Sequence, residues 1–174
     1  MDFLSHLLWT AALYKYVNKN HKASFRLWQA AFWGVFPDLV LVPGFVWMLW
    51  QLLAGASFHN AWSMHVEPVT PSFYFFLEFT RLAYSFTHSL VIFVLVFGIL
   101  YLWKGRYFWL LGGWLFHIVL DVPTHTYKFY PTPVLWPISS FRFSGIAWHE
   151  PWFLIVNYAA LILTYVWLFR RNNC

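Results

Sequence analysis

The sequence predicts an all-α membrane protein: a polytopic helical bundle with about four to five membrane-embedded helices, forming one domain over residues 1–174. Three observations predict it. First, 61% of the residues are hydrophobic and 25% aromatic, while only 10% are charged. A soluble domain carries about 25% charged residues, so lipid is the natural solvent for this chain. Second, apolar stretches approaching the roughly 20 residues that a helix needs to cross a hydrocarbon core recur along the chain. Third, the bases behind the net charge of +5 cluster in short polar gaps, which is how topology signals are distributed.

Taken in order, residues 3–17 form a short apolar helix. Its start has no basic region and no small-residue cleavage site, so no removable signal peptide is expected. Residues 27–54 are too long for one straight span, and Pro37 and Pro43 interrupt them. Because an internal proline removes a backbone hydrogen bond, a helix is expected up to the Pro37 region, followed by a second, interfacial one. Residues 84–103 fit a crossing best and contain His88. Residues 107–120 are shorter, with Asp121 and Pro123 closing them. Residues 152–169 carry no acid or base.

The gaps are of two kinds. Lys15, Lys19, Lys22 and Arg26 crowd the first, Lys104 and Arg106 fill another, and Arg170 and Arg171 follow the last helix. The gaps around 56–83 and 122–150 are long, aromatic and poor in bases. The positive-inside rule assigns the basic set to the cytoplasm and the long gaps to the outside. Thirteen Trp and ten Tyr suit interfacial belts. The same charge distribution removes the reason to invoke a nucleic-acid partner. The single cysteine, Cys174, forms no internal disulfide.

Ionisable groups inside apolar stretches are costly and usually face a cavity or one another. They are His6, Asp38, His88, His117 and Asp121. Counting back to Lys15, Arg26, Lys104 and Arg106 at about 1.5 Å per residue places them roughly 14, 18, 24, 17 and 23 Å from the basic face. Four helices thus bring ligand-type side chains to one layer. His117 and Asp121 are spaced i, i+4, which aligns them on one helix face, and imidazole with carboxylate suits Zn²⁺ and similar cations. The pair alone also fits a helix-end His bonded to an acid. His88 alone fits an interhelical hydrogen bond, and Asp38 alone a cap. His21, His59 and His65 read as solvated. His125, His149 and Glu150 lie in or beside the last outer gap and can supply further ligands or a general base. There is no His-Glu-x-x-His, no Gly-x-Ser-x-Gly, no glycine-rich phosphate loop and no Cys-x-x-Cys. Any metal is therefore held by nitrogen and oxygen. Gly112-Gly113 suits close helix packing.

Ser5-His6-Leu7-Leu8, Pro37-Asp38, Phe86-Thr87-His88-Ser89-Leu90, His117-Ile118-Val119-Leu120-Asp121 and Leu135-Trp136-Pro137 occur in this order. Together they resemble the membrane-bound family of predicted metal-dependent hydrolases whose bacterial members include LexA-regulated inner-membrane proteins. The resemblance implies an integral protein of the plasma or inner membrane of a prokaryote. It implies His6, Asp38, His88, His117 and Asp121 as metal-site residues. The chain departs from the family pattern at Val40, where a second acid often stands, and at Ala83 and Tyr84, where a His-Arg pair often stands. The His-x-x-x-Asp helix is also distantly similar to the all-α zinc-dependent phospholipase C enzymes, an analogy that suggests phosphoester chemistry.

The reading that joins these features is a membrane-embedded hydrolase using one or two divalent metals, zinc by their donor types, on a lipid or lipid-linked substrate near the outer leaflet. A bound cation can lower the pKa of water from 15.7 to about 7. His6, His88, His117 and His125 are expected as ligands, with Asp38 and Asp121 as ligands or orienting acids. Asp38 or Glu150 is expected to take the water proton. Arg81, Lys128 or Arg142 is expected to hold an anionic substrate group. The alternatives are a non-catalytic metal-binding or transport protein, and a structural protein whose His and Asp groups bond between helices. The oligomeric state is left open.

Overall fold

The structure is a computed structural model that describes residues 1–21, 23–55, 71–128 and 131–170, with backbone only for 71–74. The expectations for His59 and His65 fall outside the described residues. Seven α-helices appear among the described residues: α1 Phe3–Asn20, α2 Leu27–Val35, α3 Val42–Leu53, α4 Pro71–Thr87, α5 Leu90–Lys104, α6 Gly112–Thr124 and α7 Pro151–Arg170. Two 3₁₀ turns join them, Phe36–Leu41 between α2 and α3 and Trp109–Leu111 before α6. No strand is present among the described residues, so the fold is all-helical as expected.

The count of crossings is smaller than expected. Among the described residues two stretches are long and apolar enough to cross a membrane, Leu27–Leu53 and Pro151–Arg170. A third follows if Phe75–Thr87 and Leu90–Lys104, bent by 63°, form one broken span. The expected crossing over 84–103 is therefore corrected, and the cause is local. Ser89 caps α5 by accepting from Ile92 N, and its hydroxyl donates to Trp136 O. Leu90 N–H leaves the helical ladder for Val134 O at 2.9 Å. The gap expected over 56–83 is helical from Pro71. Asp121 and Pro123 do not close α6, which runs on to Thr124. Around residue 36 the expected interruption is present, because Pro37 begins the 3₁₀ turn.

Packing follows from stripes of small and polar residues. Asp2 caps α1 by accepting from Ser5 N at 2.9 Å. Burial works against the Asp2 carboxylate, but hydrogen bonds from Ser5 and Tyr158 hold its pKa below the ordinary value. His6, Thr10 and Tyr14 recur every fourth residue and form the buried face of α1. That face meets α2 at Gly34, where an added Cβ would collide with Thr10. At Gly113 an added Cβ would lie 2.7 Å from Ala30 O and 2.9 Å from Gly34 N. Glycine there lets α6 approach the α2 backbone closely. Ile92, Phe93, Leu111, Trp114 and Ile118 form the apolar core between α5 and α6. Large apolar side chains such as Leu102, Ile155 and Leu163 point outwards, as they do where lipid is the solvent.

Candidate metal centre

Two local departures from regular helix and one helix face bring the inner layer together. Asp38 lies in the 3₁₀ turn directly after Pro37. His88 lies in the break between α4 and α5. His117 and Asp121 lie one turn apart on α6. One ligand atom from each of Asp38, His88, His117 and Asp121 falls within 4.8 Å of all the others, and all four residues are buried. His117 Nε2 is 3.1 Å from Asp121 Oδ2 and 3.7 Å from Asp38 Oδ1. His88 Nε2 is 3.3 Å from Asp121 Oδ2 and 3.5 Å from Asp38 Oδ1. Ligands at zinc-like bond lengths of about 2.0–2.2 Å in a tetrahedron stand roughly 3.4 Å apart, which these separations bracket.

The backbone determines where the imidazole protons sit. His117 Nδ1 is 2.8 Å from Gly34 O. A carbonyl only accepts, so Nδ1 carries a proton, and in the neutral imidazole Nε2 presents a lone pair. Gly34 O is available because its partner in the 3₁₀ register would be residue 37, a proline without an N–H. His88 Nδ1 is 3.1 Å from Tyr84 O and 3.0 Å from Thr87 Oγ1, so its proton is held on the same side. Thr87 Oγ1 in turn lies 3.1 Å from Pro37 O, tying the helix break to the 3₁₀ turn. The two Nε2 atoms then face each other at 3.1 Å, lone pair against lone pair when both imidazoles are neutral. Asp121 Oδ2, beside both, is buried with no hydrogen-bond partner. Two converging lone pairs and an orphaned carboxylate oxygen fit a shared cation, and the carbonyls behind the imidazoles are the orienting partners that metal-bound histidines use. Nitrogen and oxygen donors without sulfur suit zinc and several other divalent ions.

The remaining expected residues divide by position. His6 and His125 lie on the opposite oxygen of Asp121: His6 Nε2 is 2.9 Å and His125 Nε2 3.5 Å from Oδ1. Glu150 and Lys128 are exposed and line a surface depression of about 700 Å³ with Tyr127 and His149. Arg81 donates to Glu78 Oε1 at 2.8 Å on the surface. Arg142 is half-buried, and its carbonyl accepts from Tyr127 Oη at 2.8 Å. Sequence reasoning passed over Thr87, Gly34 and Tyr84, the residues that orient the imidazoles. It also passed over Asn157, which donates to Ser5 Oγ at 2.7 Å and accepts from Trp9 Nε1 at 2.9 Å. An amide inside an apolar stretch is itself a signal, which a search for acids and bases overlooks.

Fold and site define an all-helical membrane protein with a buried Asp/His cluster that could hold a metal ion. The chain belongs to the YdjM inner membrane protein family, whose model matches residues 1–173. No curated protein and no solved structure matches it. The family bears out the expected resemblance and the location in the inner membrane. It carries no support for hydrolysis or for the phospholipase C likeness, and the cluster does not by itself select zinc.

Proposed function

We propose that this chain is a metal-dependent hydrolase acting within the membrane on a phosphoester or related bond of a lipid or lipid-linked substrate near the outer leaflet. The observation that carries the reading is the facing pair of Nε2 atoms at 3.1 Å beside the unpartnered Asp121 Oδ2. His88, His117, Asp121 and Asp38 would hold the ion, and zinc suits the donor set. A divalent cation supplies Lewis-acid activation of water at neutral pH. Between the two acids the burial decides the division of roles. The Asp121 side chain is 1% exposed and the Asp38 side chain 9%, so Asp38 has the better access to water and is assigned as proton acceptor. Glu150 is the second candidate for that role, from the surface depression it shares with Lys128. Lys128 supplies positive charge there for an anionic headgroup, and Arg142 is close by in space, its carbonyl accepting from Tyr127 Oη. Arg81 is a weaker candidate because Glu78 already engages it.

The test is turnover by purified, metal-loaded chain of phospholipids and lipid-linked phosphates. The wild type is expected to release product, and Asp38→Asn and His117→Ala to lose at least about a hundredfold in rate, the scale of a general base or a metal ligand. The full burial of His88, His117 and Asp121 favours the other reading, a protein that holds a metal without catalysis. That reading stands if the metal binds and no ester or phosphoester is turned over.

A further inference from the structure

Asp121 presents its two oxygens to two different sets of nitrogen atoms. Oδ2 faces His88 Nε2 at 3.3 Å and His117 Nε2 at 3.1 Å. Oδ1 faces His6 Nε2 at 2.9 Å and His125 Nε2 at 3.5 Å. The second set comes from different elements, His6 from the first turns of α1 and His125 from the residue after α6. We propose that Asp121 is a bridging carboxylate, and that His6 and His125 complete a second divalent-cation position on its Oδ1 side. The proposal rests on the metal-centre reading above and extends it from one ion to two.

Ring geometry supports the division. His6 and His117 stack with centroids 3.7 Å apart and planes within 22°. Side by side, their Nε2 atoms address the two oxygens of one carboxylate. The His6 ring is fully buried and its Nδ1 has no hydrogen-bond partner, so its polar contact is the one made through Nε2. His125 is held by the chain around it. Its carbonyl accepts from Gly145 N at 2.7 Å, and Thr124 O and Pro123 O accept from Trp148 N and Ile146 N. Gly145 is required for this approach, since an added Cβ would collide with the Pro123 backbone. Tyr84 Oη lies 3.4 Å from His125 Nδ1, on the side away from Asp121. That is where an orienting partner for a ligating histidine belongs.

The pocket on the Oδ1 side also meets a nitrogen donor. The Met1 nitrogen lies 2.5 Å from Oδ1 and 2.9 Å from His125 Nε2. A cation at this position would take the place of that nitrogen between Asp121 Oδ1 and His125 Nε2, and His6 would join as a ligand by giving up the Nε2 proton it now donates to Oδ1.

Elemental analysis of the purified full chain in detergent, loaded with Mn²⁺ or Zn²⁺, tests the proposal. Two ions per chain are expected, falling to one in His6→Ala and in His125→Gln. Electron paramagnetic resonance of the Mn²⁺-loaded wild type, which needs no substitution, is expected to show an exchange-coupled pair. One ion per chain with an uncoupled signal overturns the second position and leaves the first intact. Two ions that survive both substitutions locate the second ion elsewhere and overturn the assignment. No bound ion in the wild type overturns the metal-centre reading together with the proposal.

Discussion

Helix α7 and the α2–α3 and α4–α5 segments are built from similar apolar residues, yet only the latter carry ligands. Over its twenty residues α7 runs without a break from Pro151 to Arg170. The α2–α3 segment gives way to a 3₁₀ turn at Phe36–Leu41 and there places Asp38. The α4–α5 segment bends by 63° and there places His88. In lipid every backbone polar group needs a partner, so a break is tolerated only where something else bonds the freed groups. Here the cluster and its supports do so. Gly34 O takes His117 Nδ1, and Leu90 N donates to Val134 O. The breaks and the ligands therefore belong to one arrangement, and α7 supports it from outside.

The largest expected effect comes where both sets of nitrogen atoms meet. Asp121→Asn keeps the shape of the side chain and removes its charge. Bound metal, measured per chain, is expected to fall from at least one equivalent to near zero. Retained metal would mean that the helix breaks exist for packing alone.

A smaller effect is expected one contact further out. Thr87→Val preserves volume and removes the hydroxyl that links His88 Nδ1 to Pro37 O. Tyr84 O still holds the ring. Metal affinity is expected to fall about tenfold, the low end of the range for an orienting partner, with little change in thermal stability. Competition with a chelator measures this. An unchanged affinity would separate the break from the ligand it carries.

How far the site could be read in the sequence follows from the same contrast. His6, Asp38, His88, His117 and Asp121 stand out because charge is costly in an apolar stretch, and a depth count suffices to gather them. The break at His88 does not stand out. Hydropathy is continuous across 84–103, and what interrupts the helix is a serine cap together with Val134 O and Trp136 O, some 45 residues away. Helix α4 is hidden for the opposite reason. Glu78 and Arg81 lower its hydropathy, but they pair with each other on its surface. Overcounted crossings have a cause as well. Helices α1 and α6 carry apolar residues such as Leu4, Leu7 and Val119 on their outer faces, yet one ends in Lys19 and Asn20 and the other has only thirteen residues. Asp121 looked like a terminator because helix rules treat a late acid followed by proline as an end, whereas Pro123 sits in a last turn whose bonds the loop at 145–148 replaces.

The smallest effect on metal is expected from α7, and it is the sharpest check on the comparison. Asn157 bonds Ser5 and Trp9, and its neighbour Tyr158 donates to Asp2 at 2.8 Å. Tyr165 adds a bond to Leu8 O at 2.9 Å. These contacts clasp α7 to α1 without touching Asp38, His88 or His117. Asn157→Ala leaves the half-buried Trp9 indole N–H without its partner and removes the donor to buried Ser5 Oγ, which costs about 1 kcal/mol. Thermal stability in detergent is therefore expected to fall while affinity at the Oδ2 side of Asp121 holds. Leu163→Ala on the lipid-facing side of the same helix, where the residue is 68% exposed, is expected to stay within about 0.5 kcal/mol. The pattern to measure is a double dissociation: Thr87→Val weakens metal and spares stability, and Asn157→Ala does the reverse. If Asn157→Ala weakens metal as much as Thr87→Val, then α7 positions the ligands too, and the division between broken helices that bind and an unbroken helix that supports does not hold.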